Sequence, residues 1–322
     1  MSCEYLLVIP RLRVQNANAI SSPLTHGFPS MTAFLGLMWA LERKLMQTDS
    51  FELMCDGIGV ICHDYQEQVS DSGYHKTFHL TRNPLIQRVQ RKFIDKNGQV
   101  KPPTILEEGR IHLDISLVFK VRFDLSLDEW REKYLQLVVD TLMTMRIAGG
   151  SILPMKNPGL KRYQSQILDV SDFHKVRRQL MPGFALIERT DLLNSRLDEL
   201  RTENPQATGL DAWLSLSRIN WRYQPDEEGN KGTWQHDRAG LGWVVPIPVG
   251  YGALSELYEP GAVANARDQT TPFRFVESLY SIGQWVAPYR LSSPEQMLWY
   301  VDSQPDKGLY RCRNQFSTDE LC

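Results

Sequence analysis

Small hydrogen-bonding side chains are concentrated near the start of the chain, in residues 11–30, which read RLRVQNANAISSPLTHGFPS. Ser30 can cap a helix that follows, and the free backbone N–H groups of a helix N-terminus attract phosphate. Residues 15–29 are rich in Asn, Ser, Gly and Pro, which predicts a loop, and such a loop can hold a sugar-phosphate backbone. The same residue types also stabilise tight turns, and the sequence leaves both interpretations open. The candidate ligand-binding residues are Asn16, Asn18, Ser21, Ser22 and Thr25.

Two further clusters combine a cation with groups that suit phosphate or a base edge. Arg82 and Asn83 follow a predicted strand, and the alternative interpretation of this pair is a capped turn. Arg146 precedes Gly149 and Gly150, where the backbone can approach a ligand closely. The alternative for the glycine pair is an ordinary helix stop.

The sequence offers little for catalysis. The seven histidines show no H-x-x-x-H or H-E-x-x-H spacing, and the chain has no G-x-S-x-G, Walker or dinucleotide-binding fingerprint. We therefore expect no catalytic residue, no metal site and no cofactor. His26 or His112 is the candidate base of the alternative function, cleavage of RNA.

Composition indicates a globular intracellular protein. The chain has 322 residues, 42% hydrophobic content and a formal net charge of −2. Its five cysteines form no C-x-x-C pair, and the sequence shows neither a signal peptide nor an apolar run of the roughly 20 residues that span a bilayer. We expect a cytoplasmic location without membrane contact.

The basic residues are concentrated in two stretches of the sequence. Residues 82–101 contain six basic residues and one acidic residue, and a second basic stretch spans residues 156–178. Such patches suit phosphate, although a solvated surface also explains them.

The hydrophobic pattern predicts the order strand, helix, strand, strand, helix, strand. The strands are predicted at 5–15, 53–62 and 111–119, with a hairpin at 65–80 that turns near Ser72 and Gly73. The last strand falls at 151–153 or at 183–187. This order is that of a ferredoxin-like, RRM-like βαββαβ core in an α+β fold.

The domain prediction divides the chain into three parts. Residues 1–154 form the core, 155–240 form a mainly helical insertion that ends in a mobile loop at 224–240, and 241–322 return to the core. A strand at 243–249 and a helix at about 273–285 are predicted in the last part.

Several strings give the sequence a family resemblance from end to end. They are the 11–30 segment, HLTRNPL (79–85), EEGRIHLDISL (107–117), MRIAGGSILP (145–154), LMPGFALI (180–187), VPIPVGYGALSELYEPGAVANARD (245–268), TPFRFVESL (271–279) and DKGLYR (306–311). With these strings the chain resembles the Cas-five-type subunit of the type I-F CRISPR surveillance assembly, the second subunit of the Csy complex.

This resemblance implies an RRM-like fold with an inserted thumb and no catalytic role. It implies binding of the 5′ handle of the CRISPR RNA, with the large subunit and the repeated backbone subunit as partners. Target DNA is reached through the assembled complex, as part of antiviral defence. The handle-binding residues that it implies are Arg11, Gln15, Asn16, Asn18, Ser21, Ser22, Thr25, Arg82, Asn83, Arg146, Gly149 and Gly150.

Overall fold

Strands predominate in the folded chain, which is a mixed α+β structure. The computed structural model describes residues 3–49, 53–82, 105–123, 128–154, 159–225 and 231–316. The N-terminal strands are β1 (Cys3–Asn18), β2 (Ile20–Ser22), β3 (Thr25–His26), β4 (Met54–Glu67), β5 (Val69–Asp71), β6 (Lys76–Arg82), β7 (Ile105–Glu108), β8 (Arg110–Phe123), β9 (Arg146–Ile147) and β10 (Gly150–Leu153). The later strands are β11 (Gln166–Asp169), β12 (Phe184–Glu188), β13 (Trp221–Pro225), β14 (Gly232–His236), β15 (Trp243–Ala253), β16 (Val276–Val286), β17 (Trp299–Gln304) and β18 (Leu309–Asn314).

Five α-helices lie within the described residues. They are α1 (Met31–Asp49), α2 (Asp128–Met143), α3 (Phe173–Gln179), α4 (Thr190–Glu203) and α5 (Gly209–Ser217). Ser30 caps α1 as predicted, because its Oγ accepts a hydrogen bond from the backbone N–H of Thr32 at 3.3 Å.

Eleven of the described strands form one sheet in the order β12-β16-β15-β18-β17-β4-β8-β1-β10-β9, with β11 also paired to β1. Strand β12 also pairs with β4. The six strands from β12 to β4 in this spatial order therefore form a closed ring. Within the sheet, β1 is central. It pairs with β8 along one edge, and with β11 and then β10 along the other.

The main core lies between this sheet and α1. On β8, Ile111, Leu113 and Ile115 are buried, whereas His112 and Asp114 point to the opposite face and are partly exposed. This is the alternation that the sequence predicts for a strand with one buried face. The stripe predicted on α1 is buried too. Its members are Phe34, Leu37, Met38, Leu41 and Leu45.

The N-terminal strands lie in the spatial order β4-β8-β1-β10, with all neighbours antiparallel. Both candidates for the last strand are strands of this sheet, since β10 pairs with β1 and β12 pairs with β4 and β16. The hairpin predicted at 65–80 is also present, since β5 pairs with β6 across a turn at residues 72–75.

Four predictions of local structure were wrong. Residues 15–18 belong to β1, where a loop was predicted. Gly149 and Gly150 do not end a helix, because α2 ends at Met143 and the glycines belong to a β-hairpin. Residues 276–286 form a strand that pairs with β15 along its length, where a helix was predicted. In segment 224–240, predicted as a loop, Gln224 and residues 232–236 belong to a second hairpin, β13–β14.

The predicted helical insertion also contributes to the large sheet. Strand β11 pairs with β1, and β12 pairs with β4 and β16. Helices α3, α4 and α5 also lie within residues 155–240, and β12 matches the segment 183–187 that the sequence offered as a candidate strand. The division of the chain into three parts stays a prediction.

A small sheet, β5-β6-β7, extends the β4–β8 pair beyond the end of β1. Backbone hydrogen bonds from Gln68 to Arg110 and from Ala19 to Gly109 join its base to the main sheet. Among the described helices, none has the length and apolar character needed to cross a membrane.

Candidate nucleic-acid interface

Pairing at the end of β1 places three exposed polar side chains in one row. Gln15 lies opposite Ser151 of β10, and Ser151 lies opposite Arg146 of β9. Directly opposed residues share a face of the sheet, and adjacent strands are about 4.8 Å apart. All three side chains are exposed. We call Gln15, Ser151 and Arg146 the polar row.

The turn that carries this row has an unusual backbone. Ala148 and Gly149 connect β9 to β10 with φ of 47° and 77°, as expected for a two-residue type I′ turn. The Asn18 N–H donates to the Ala148 carbonyl at 2.9 Å, and the Arg146 guanidinium donates to the Gly149 carbonyl at 3.4 Å. The first bond attaches the turn to the end of β1, and the second lies within the β9–β10 hairpin.

Gly150 permits the close approach of this hairpin to β1. A Cβ at residue 150 would lie 2.7 Å from the backbone nitrogen of Ala17 and 2.8 Å from the carbonyl oxygen of Gln15. Real Cβ atoms do not come so near to backbone atoms, so only glycine fits without displacement. Gly150 therefore has a packing role, while Gly149 is exposed with no atom near its Cβ position.

Two bulges interrupt β1 at candidate residues. Arg11 and Asn16 have φ of 56° and 57°, and the register of β1 on β8 shifts at both places. At Asn16, the backbone N–H donates to Nδ1 of His112 at 3.1 Å while the side chain stays exposed. A bulge re-aims its side chain relative to the regular pleat. Asn tolerates this left-handed backbone better than most residues.

Arg11 is held by the interior of the protein. Its backbone N–H donates to the Ser116 hydroxyl at 3.0 Å, and its guanidinium pairs with Asp114 at 3.3 Å and lies 5.6 Å from the centre of the Tyr163 ring. The Arg11 side chain is only 19% exposed. Arg11 therefore positions the strand more than it presents a charge to a ligand.

A half-buried histidine, His63, completes the support of this bulge. Nδ1 of His63 donates to the Pro182 carbonyl at 2.5 Å, so Nε2 accepts from the Ser116 hydroxyl at 2.6 Å. Burial is the main cause that lowers the pKa of His63 from 6.5, and the Arg11 charge lowers it further. The neutral imidazole is thus the form that the fold uses.

The hydroxyl groups of the 11–30 segment are engaged within a turn. The Ser22 and Thr25 hydroxyls are 2.6 Å apart, and Ser22 Oγ also accepts from the Thr25 N–H at 3.1 Å. Both residues are buried. Ser21 Oγ accepts from the Ser30 N–H at 3.0 Å. These contacts fit the turn interpretation that the sequence left open.

Asn18 lies beside the turn that carries the polar row, whereas Arg82 lies on the small sheet. The Asn18 amide donates to the Ile20 carbonyl at 2.7 Å and accepts from the Ile20 N–H at 3.2 Å. Arg82 is exposed opposite Ile105 on the small sheet, three residues beyond the His79–Glu108 pair at its base. Arg82 is therefore farther from Asn16 than Arg146 is. Asn83 and most of the basic 82–101 stretch lie outside the described residues.

The two candidate bases of the alternative function have partners. His26 lies 3.3 Å from the Glu67 carboxylate, and His112 accepts the Asn16 N–H. Over the described ranges, no three His, Cys, Asp or Glu side chains are grouped so that they could hold a metal ion.

Sequence reasoning missed Ser151 and Arg13. Ser151 is exposed between buried Gly150 and Ile152, so the alternation of this strand carried the signal. Arg13 is paired with Leu153 of β10 and with Asp114 of β8. A shallow groove of about 210 Å³ is lined by Arg13, Gln15 and His112, among others.

Fold and site together define an α+β protein whose exposed polar row combines an amide, a hydroxyl and a guanidinium. Comparison with known proteins specifies the family. Residues 7–312 match the family model described as CRISPR-associated protein (Cas_Csy2). A protein of Pseudomonas aeruginosa (strain UCBPP-PA14), named CRISPR-associated protein Csy2, is 44% identical over 323 residues, which covers 96% of this chain and 94% of that protein. The chain belongs to the Csy2 family of CRISPR-associated proteins, so the expected resemblance to the second Csy subunit is confirmed.

Proposed function

We propose that this chain is an RNA-holding subunit of a type I-F CRISPR surveillance complex and that it binds the 5′ handle of the CRISPR RNA. The observation that carries the proposal is the exposed row of Gln15, Ser151 and Arg146 beside a turn and a bulge with left-handed backbone. Membership in the Csy2 family supports the same function.

The chemistry of the row suits single-stranded RNA. Sequence-specific RNA recognition usually reads the edges of splayed bases, for which amide and hydroxyl groups donate and accept hydrogen bonds. Arg146 supplies a charge-assisted contact to phosphate, and the exposed Gly149 lets a sugar-phosphate backbone come close.

Backbone conformation gives independent support. The described residues outside glycine with positive φ are Arg11, Asn16, Ala148 and Asn265, and the first three lie at or beside the candidate site. Such conformations cost of order 1–3 kcal/mol each and are concentrated at functional sites. In this proposal the polar row, Asn16, Gly149 and Gly150 form the centre of the RNA-binding site. Arg11, Asn18, Ser21, Ser22 and Thr25 shape that centre, while Arg82 and Asn83 extend it.

The remaining parts of the proposal concern the assembly. We infer a non-catalytic role in the cytoplasm, with the large subunit and the repeated backbone subunit as partners and with target DNA bound through the assembled complex. An RRM-like, Cas-five-type core is part of the proposal. The antiparallel order β4-β8-β1-β10, with one helix after β1 and one after β8, supports it.

Co-expression with the large subunit and a CRISPR RNA tests the function. We expect the purified assembly to retain RNA, and a labelled handle RNA to bind more tightly than a scrambled RNA of equal length. Equal binding of both RNAs would contradict handle recognition.

The same samples decide the alternative function, RNA cleavage. They are incubated with repeat RNA without metal and separated on a denaturing gel. Cleavage that disappears in His26→Ala or His112→Ala would favour a processing endoribonuclease over a holding subunit.

A further inference from the structure

A second site lies on the other side of β4, where a cavity of about 460 Å³ opens between the β3–α1 connection and strands β12, β15 and β16. This volume is typical of a ligand pocket. Asp64 and Tyr65 line both this cavity and the shallow groove beside Gln15. The two sites are therefore neighbours, separated by these two residues of β4.

One wall of the cavity is aromatic. The ring centres of Phe184 and Trp243 are 5.6 Å apart, those of Trp243 and Trp285 are 6.1 Å apart, and those of Trp285 and Phe28 are 4.9 Å apart. Trp243 is 49% exposed, and Tyr65 at the mouth is 53% exposed. Large exposed aromatic side chains that line a pocket are typical of binding hot spots.

Two carboxylates, Asp64 and Glu67, line the cavity together with the imidazoles of His26 and His63. Asp64 is exposed, and its Oδ1 accepts only from the neighbouring Tyr65 N–H, at 2.9 Å, among the described contacts. Glu67 contributes a second carboxylate, 3.3 Å from His26. The described residues that line the cavity include no lysine or arginine.

A site that combines carboxylates with aromatic rings is suited to bind a cation. A guanidinium group stacks on aromatic rings and also pairs with a carboxylate, and arginine is enriched among the residues that anchor protein interfaces. Phosphate is repelled by the same carboxylates. The cavity therefore differs in charge from the polar row, where Arg146 provides a positive charge.

We propose that this cavity is the docking site for an arginine side chain of a protein partner. The guanidinium lies over the rings of Trp243 and Tyr65 and donates hydrogen bonds to Asp64, and Glu67 adds negative potential. This site is separate from the proposed RNA contact, so the chain holds RNA on one side of β4 and a protein on the other.

The direct test uses N-acetyl-L-arginine amide as the probe and N-acetyl-L-citrulline amide as the matched control, which has the same shape without the charge. Indole N–H signals of the full chain are followed by NMR, and Trp243→Phe assigns the Trp243 signal. We expect the arginine probe to shift that signal, with at least a fivefold weaker response to the citrulline probe, of the order expected for a charge-assisted contact.

Substitution of the carboxylates sharpens the test. Asp64→Asn and Glu67→Gln keep the shape of the cavity, and we expect the double variant to lose the response to the arginine probe. An equal response to both probes, or no response up to the solubility limit, would overturn the proposal. A stronger shift of the signal with adenosine 5′-monophosphate than with the arginine probe would also overturn the proposal, because the cavity would then bind a nucleic-acid base.

A second measurement uses the co-expressed complex. Glu67→Arg places a cation at the mouth, and we expect the tagged chain to retain at least about tenfold less of its protein partners, as for loss of a charged anchor. Binding of handle RNA to the Glu67→Arg chain should stay within twofold of the wild type. Unchanged retention of every protein subunit would contradict the proposed docking site.

Discussion

The two halves of the 11–30 segment have similar side chains and opposite structural roles. In the first half, Gln15 and Asn16 are exposed on a strand that bulges at Asn16. In the second half, Ser22 and Thr25 are buried and hydrogen-bonded to each other. The comparison shows that a hydrogen-bonding side chain is available to a ligand only where the fold leaves its polar atoms unpaired and exposed.

The largest expected effect concerns the hairpin that carries the polar row. Gly150→Val places side-chain atoms against the backbone of Ala17 and Gln15, so we expect a loss of about 3 kcal/mol in the free energy of unfolding. Handle binding should fall with it. Chemical denaturation measures the loss, and Gly159→Ala, at a site with no neighbouring atom within 4 Å, is the matched control. Equal stability of both variants would show that the hairpin can move away from β1.

Arg146→Ala separates binding from stability. Arg146 is exposed, and its only described hydrogen bond is 3.4 Å long, so its removal should leave the melting temperature unchanged. We expect handle affinity to weaken by about 2 kcal/mol and its dependence on salt to decrease. Fluorescence anisotropy at several salt concentrations measures both quantities.

Arg290 provides the matched control for that experiment. It is exposed in the short helical turn Pro288–Arg290, and Arg290→Ala removes the same charge from the chain. If both variants lose affinity equally, Arg146 acts through net charge alone and does not belong to a defined site.

Ser22→Ala tests the second half of the segment. The Ser22 hydroxyl accepts from the Thr25 N–H and pairs with the Thr25 hydroxyl, so its loss should cost about 1 kcal/mol of stability. We expect handle affinity to remain unchanged after correction for the folded fraction. A fall in affinity at unchanged melting temperature would move Ser22 into the contact surface.

The smallest expected effect is a pH dependence of stability. Burial lowers the pKa of His63 below 6.5, its value in the unfolded chain, so the unfolded state binds a proton first as pH falls. The stabilisation from neutral His63 is complete above that value. It is lost progressively as pH falls towards the pKa in the folded state.

Denaturation curves at several pH values measure this loss. We expect His63→Gln to reduce the pH dependence, whereas His75→Gln, at an exposed histidine, should leave it unchanged. An identical pH dependence in wild type and His63→Gln would show that Arg11 and Ser116 are held without help from this imidazole.

The sequence alone determined the family and much of the N-terminal half. The alternation of Ile111, Leu113 and Ile115 predicted β8, and the stripe on α1 predicted its buried face, because burial imposes the period of each element on its residues. Long strings of shared sequence identified the family without any knowledge of the contacts.

Only the tertiary structure decided which candidate residues present polar groups to a ligand. Residues 15–18 were predicted as a loop from their Asn content, but pairing with β8 and β10 makes them part of β1. Residues 276–286 became a strand because β15 supplies a partner along their length. Some backbone N–H groups donate to a partner strand and others to a side-chain hydroxyl. In both cases the accepting group lies far away in the sequence. Local patterns cannot contain that information, since it depends on which segments meet in space.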